Sequence, residues 1–167
     1  MTSPPERGEW LLLSYRMPRE PSTPRIAVWR RLKSLGVGQL GDGLVTLPAD
    51  ARTREQLDWV AEQIVEHGGQ AMLWLARPAT AQQEQQIATE MAAARAAEYT
   101  KIAVDAAAAL TAYESTRRST LRRLSNELRQ INRRDFFPPP ERDIAQAAVR
   151  ALHEAAGSQQ DRQETRS

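Results

Sequence analysis

The chain has 167 residues, 41% hydrophobic and 26% charged, with a net charge of +2; that leaves room for one domain with a helical annex, or for two very small domains. It has no cysteine, which excludes disulfides, thiol nucleophiles and the usual zinc-ribbon ligand sets. No run approaches the roughly 18 apolar residues of a membrane span, and the opening Met1-Thr2-Ser3-Pro4-Pro5-Glu6-Arg7 lacks an apolar secretory core, so the expected location is the cytoplasm.

Residues 1–8 read as a flexible end. Trp10 to Tyr15 predicts a strand, and the consecutive Leu11, Leu12 and Leu13 suit a central one covered on both faces. Prolines at 18, 21 and 24 break the chain. Ser22 or Thr23 is placed to cap a helix in which Val28, Trp29, Leu32 and Leu35 recur at helical spacing, and Gly36 to end it. Val37 to Gly41 and Gly43 to Leu47 predict a hairpin about Gly41-Asp42-Gly43. Asp50 or Thr53 can cap a second helix whose face is Leu57, Val60, Ala61 and Ile64, and a last strand runs from Gln70 to Arg77. This order, strand-helix-strand-strand-helix-strand, is that of an α+β, ferredoxin-like sandwich over residues 9–78.

Residues 79–156 predict a helical extension. From 81 to 113 there is neither proline nor glycine, and Ile87, Met91, Ala94, Ile102, Ala106, Ala109 and Tyr113 make an intermittent apolar stripe. After a break near Glu114-Ser115, with Ser115 or Thr116 as cap, Leu121, Leu124, Leu128 and Ile131 share one face of a second helix. The two predict an antiparallel helical hairpin. Phe136-Phe137-Pro138-Pro139-Pro140 ends it, and a C-terminal helix from Glu141 to Ala156 is expected to bury Ile144, Ala148, Val149 and Leu152, with a flexible polar end over 157–167.

The first strand, the helix Arg25 to Gly36 and the hairpin Gly41 to Pro48 resemble the N-terminal domain of the chromate-resistance regulator ChrB. The resemblance continues through the Arg-Asp-Phe-Phe motif, Arg134 to Phe137, and covers roughly residues 9 to 155. A segment similar to Trp29-Arg30-Arg31-Leu32-Lys33-Ser34-Leu35-Gly36 also occurs in the PaaX-type repressors and, more distantly, in small ferredoxin-like CRISPR endoribonucleases. The resemblance implies a regulator or accessory of chromate resistance acting on promoter DNA. Regulators of this type commonly carry a further C-terminal domain associated with sensing chromate. None follows in this sequence, so a separate chromate-sensing protein is an expected partner. The N-terminal winged-helix module through which PaaX-type repressors bind DNA is also absent from the sequence, which leaves the sandwich or the arginine helix to make any DNA contact.

Arginine clustering is the residue-level signal for DNA. Residues 115–134 carry seven arginines against one acid, whereas residues 79–114 carry two bases against five acids. Arg117, Arg118, Arg122, Arg123, Arg129, Arg133 and Arg134 interleave with the apolar face, so most are expected to project outward, where they could neutralise phosphates. Arg25, Arg30 and Arg31 on the first helix could extend that patch, and Arg25 near a helix N-terminus is unfavourable unless it meets an anion or a carboxylate. The competing reading pairs these arginines with Glu98, Asp105 and Glu114, within the chain or across a homodimer. A third lets clustered arginines hold chromate or sulfate directly.

No enzymatic constellation is evident. The first strand ends Leu13-Ser14-Tyr15-Arg16, without the carboxylate that a nuclease metal would need. His67 and His153 have no acidic or serine companions, and Asp42 is a turn residue. The four tryptophans read as core or interface, and no glycine-rich phosphate loop occurs. The expectation is therefore a non-enzymatic DNA-binding regulator, homodimeric, without cofactor, metal or membrane.

Overall fold

The computed structural model describes residues 8–164. It forms two compact units, one ending at Met91 and the other beginning at Ala92, so the division falls within a helix and not at the predicted boundary after residue 78.

The first unit is built from β1 (Trp10–Arg16), α1 (Ser22–Leu35), β2 (Gly38–Gly41), β3 (Leu44–Pro48), α2 (Ala51–Glu66) and β4 (Gln70–Ala76), followed by the opening turns of α3 (Ala81–Ala109). All strand pairs are antiparallel in the order β2-β3-β1-β4, the topology of the predicted sandwich. Leu11 and Leu13 of β1 lie opposite Leu47 and Val45 of β3. They bury against Val28, Leu32 and Leu35 of α1 and Leu57, Val60 and Ile64 of α2 to form the core.

Local signals explain the boundaries. Gly36 ends α1 in the left-handed conformation, φ 77°. Asp50 caps α2 and forms a capping box with Thr53: the Asp50 carboxylate accepts from Thr53 N at 2.8 Å, and Asp50 N donates to Thr53 Oγ1 at 3.0 Å. The start of α1 differs from expectation. Pro21 precedes the first helical residue, Ser22, and no side chain caps it. The tryptophans also separate. Trp10 is buried and donates through Nε1 to Glu84 Oε1 at 3.0 Å, but Trp59 and Trp74 are exposed. Trp59 lies on the side of α2 away from Leu57, Val60 and Ile64, and Trp74 lies on the edge strand.

The second unit contains the rest of α3, then α4 (Glu114–Arg133) and α5 (Glu141–Glu164). Glu98 meets Arg134, Tyr99 meets Asn132, and Asp105 meets Arg123. Rising numbers on α3 meet falling numbers on α4, so the two helices are antiparallel. Tyr99, Ile102, Ala106, Leu124, Ile131, Ala145, Val149 and Leu152 share one core.

Several helical details depart from the sequence reading. Tyr99 is fully buried although it was outside the predicted stripe, whereas Ala94 is exposed and Tyr113, in the break before α4, is 89% exposed. No side chain caps α4, whose N-cap is Tyr113 and not Ser115 or Thr116. On α5 the predicted Val149 and Leu152 are buried and Ala148 packs against the core, but Ile144 is 59% exposed and Ala145 is buried in its place. Finally, α5 continues past Gly157 to Glu164, where a flexible end was expected.

Candidate nucleic-acid interface

The amphipathicity of α4 divides its arginines. Helical residues advance by about 100° each, so Arg118, Arg122, Arg129 and Arg133 fall within about 60° of one another. The buried Leu124 and Ile131 lie opposite them. All four arginines are exposed, on a line about 22 Å long at the helical rise.

Arg118, Arg129 and Arg133 already have partners. Arg118 pairs with Glu114 one turn before it. Arg129 Nε donates to Ser125 O at 3.3 Å, and its terminal nitrogen donates to Asn126 Oδ1. Exposed i,i+4 pairs of this kind are worth little in water and exchange readily for another anion.

The other predicted arginines of this helix are placed differently. Arg117 is only 9% exposed and does not project outward; its guanidinium donates to Ala112 O at 3.0 Å and to Ala155 O at 3.4 Å. It lies on the core side of α4, one turn from Leu121 and two from Leu124, and part of its hydrogen bonding goes to backbone carbonyls. Arg123 donates to Glu127 Oε1 at 2.9 Å and reaches Asp105 Oδ2 at 3.5 Å. The hydrogen bond to Glu127 is the main reason its pKa is raised. Arg134, mostly buried, pairs with Glu98 Oε1 at 2.9 Å.

Arg134 belongs to a network that the sequence did not reveal. The Tyr99 hydroxyl donates to Asp135 Oδ2 at 2.7 Å and lies 2.9 Å from Asn132 Oδ1. Burial, and then the bond to Asp135, push the Tyr99 phenol well above its ordinary value of 10.0. Arg95 Nε lies 3.1 Å from Glu98 Oε2 as a charge contact without hydrogen-bond alignment. Burial holds the Arg95 guanidinium below its usual range, and Glu98 partly offsets this. The Arg134-Asp135 pair of the motif therefore ties α4 to α3.

In the first unit, Arg25, Arg30 and Arg31 are exposed on α1. Arg25 opens onto a basin shared with Arg16 and Arg19, neither of which was singled out from sequence. A second concavity, a groove of about 410 Å³, runs between the open face of the sheet and the first turns of α3, lined by Trp10, Leu12, Leu40 and Ile87 among others. Its one arginine, Arg77, is paired with Glu9 at 3.1 Å. Among the described residues no group of three or more His, Cys, Asp or Glu could hold a metal ion, and no helix is long and apolar enough to cross a membrane.

Comparison with known proteins then places the chain. Residues 25–164 match the family described as Protein ChrB, N-terminal. The chain belongs to the ChrB N-terminal family. It is 28% identical over 142 residues to Protein ChrB of Cupriavidus metallidurans, an alignment covering 83% of this chain and 43% of that protein. The chain thus spans less than half the length of this curated ChrB relative. No solved structure matches the chain. The Arg-Asp-Phe-Phe motif and α4 both lie inside the ChrB match.

Proposed function

We propose that this ChrB-type domain is a non-enzymatic regulator of chromate resistance that binds promoter DNA through α4. The observation that supports this is the stripe Arg118, Arg122, Arg129 and Arg133 set opposite the buried face of the helix. A line of guanidiniums over about 22 Å spans several phosphates of one strand. Phosphate contacts bring affinity without sequence preference. In a homodimer, a twofold axis would set two such helices on one operator.

The test is binding of the purified chain to a labelled duplex from upstream of its own gene, against random duplex, across a salt series and with or without chromate. Four phosphate contacts per chain predict that log affinity falls by roughly 3.6 per decade of salt. Arg122→Gln and Arg129→Gln should each lower that slope by about 1. Release by chromate would place sensing within this chain, and its absence would place it in a partner. No binding at low salt overturns the DNA reading.

A second reading is favoured by a specific observation. Glu98, Asp105 and Glu114 do meet Arg134, Arg123 and Arg118. In that reading the helices are an interaction module, forming a homodimer or docking a separate chromate-sensing protein, and the arginines serve folding and partner contact.

A further inference from the structure

At the end of β1 the first unit holds a basin of about 640 Å³, within the size range of small-ligand sites. Its wall includes Tyr15 and Arg16 of β1, Arg19 of the following connection, Arg25 and Trp29 of α1, and Asp42 of the hairpin turn. Three arginines thus line one concavity with a single acidic residue. Among the described residues none of the three arginines forms an ion pair.

An excess of cationic over anionic side chains around one concavity favours an anionic ligand. The position of Arg25 adds to the imbalance. It stands near the start of a 14-residue helix whose first turn contains no acid, where the helix dipole already favours negative charge. The basin is also shaped in advance. Tyr15 N donates to Gly43 O at 2.8 Å, which holds the backbone of the hairpin turn against the end of β1.

A small inorganic oxyanion would use the arginines and leave the aromatic wall unexplained. Trp29 is half-buried, and the Lys33 ammonium lies over its ring, 5.3 Å from the centroid, so a stacked base takes the other face of the ring or displaces Lys33. Tyr15, whose phenol burial raises from its ordinary value, lines the same basin and carries a hydroxyl donor. Arginine forks match phosphate, and aromatic side chains or guanidinium planes stack on bases. Duplex DNA keeps its bases stacked inside and offers no such face. We propose that this basin binds a nucleotide unit, with Arg16, Arg19 and Arg25 taking the phosphate and Trp29 the base. The unit is either a free nucleotide or one unpaired nucleotide of a single strand.

The site is independent of α4 and is tested separately. Calorimetric titration of the whole chain uses AMP, a thymidine hexanucleotide, adenosine, inorganic phosphate and chromate. AMP or the hexanucleotide should bind at least about tenfold more tightly than inorganic phosphate or adenosine, and the tighter of the two names the source. The double variant Arg19→Gln/Arg25→Gln changes two exposed side chains and should weaken that binding by at least about tenfold while the thermal midpoint stays unchanged. Trp29→Leu should weaken AMP binding about three- to tenfold and leave weak phosphate binding unaltered. The proposal is overturned if neither nucleotide probe binds below about 5 mM. It is equally overturned if a folded double variant binds as the parent does, or if phosphate or chromate matches AMP.

Discussion

Arg117 and Arg118 are adjacent, yet one guanidinium is buried on backbone carbonyls and the other is in water beside Glu114. The difference is a rotation of about 100° around the helix. Arg117→Ala should cost about 2–3 kcal/mol in urea denaturation, because it removes charged hydrogen bonds and leaves buried acceptors unmet. Arg118→Ala should stay within about 0.5 kcal/mol, as an exposed pair does. Gly43 is a second residue whose chemistry is set by position. Its φ is 68°, and a Cβ there would lie 2.4 Å from Tyr15 O. Gly43→Ala should therefore cost about 2 kcal/mol or more by the same measurement, whereas a side chain at Gly41 would meet nothing within 4 Å.

Among the elements, α2 and α4 show how differently a helix start can be specified. The capping box of α2 was legible from Asp50 and Thr53 because the motif is local and complete within four residues. Asp50→Ala should lower stability by about 1 kcal/mol, read from the denaturation midpoint. No side chain caps α4, which begins at Glu114 after Tyr113, so the hydroxyls of Ser115 and Thr116 were a false signal. For α5 the buried face was largely legible, since Ala148, Val149 and Leu152 join the core and only Ile144 gives way to Ala145.

At the scale of the whole molecule the two units draw on different physics. The first is a sheet-and-helix core of aliphatic side chains, with Thr46 Oγ1 donating to Leu11 O at 2.8 Å inside it. The second joins an alanine-rich core to the half-buried network of Tyr99, Asp135, Arg134, Glu98 and Arg95. Tyr99 gives this network a pH signature. Its phenol ionises from 10.0 upward once unfolded, but stays protonated to higher pH when folded. Above about pH 10 the native state therefore binds more protons than the unfolded state, and stability falls as pH rises. Denaturation at about pH 8 and about pH 10.5 should show a larger loss in the parent than in Tyr99→Phe. An equal loss in both would remove Tyr99 from the account.

Local order along the chain determined which elements exist. Alternation and short apolar runs marked the strands, glycine and proline marked the turns, and together they specified the sandwich order and the helical extension. Family membership was legible too: the stretches Trp29 to Gly36 and Arg134 to Phe137 that carried the resemblance lie within the matched residues 25–164. Only the tertiary structure decided which arginines remain in solvent. Burial of Arg117, and the pairing of Arg123 and Arg134 with acids of α3, follow from how α4 packs on its neighbours. The gathering of Arg16 and Arg19 with Arg25 around Trp29 was likewise decided there. A strand end, a connection and a helix meet at that basin through the sheet, and no spacing in the sequence records a meeting of that kind.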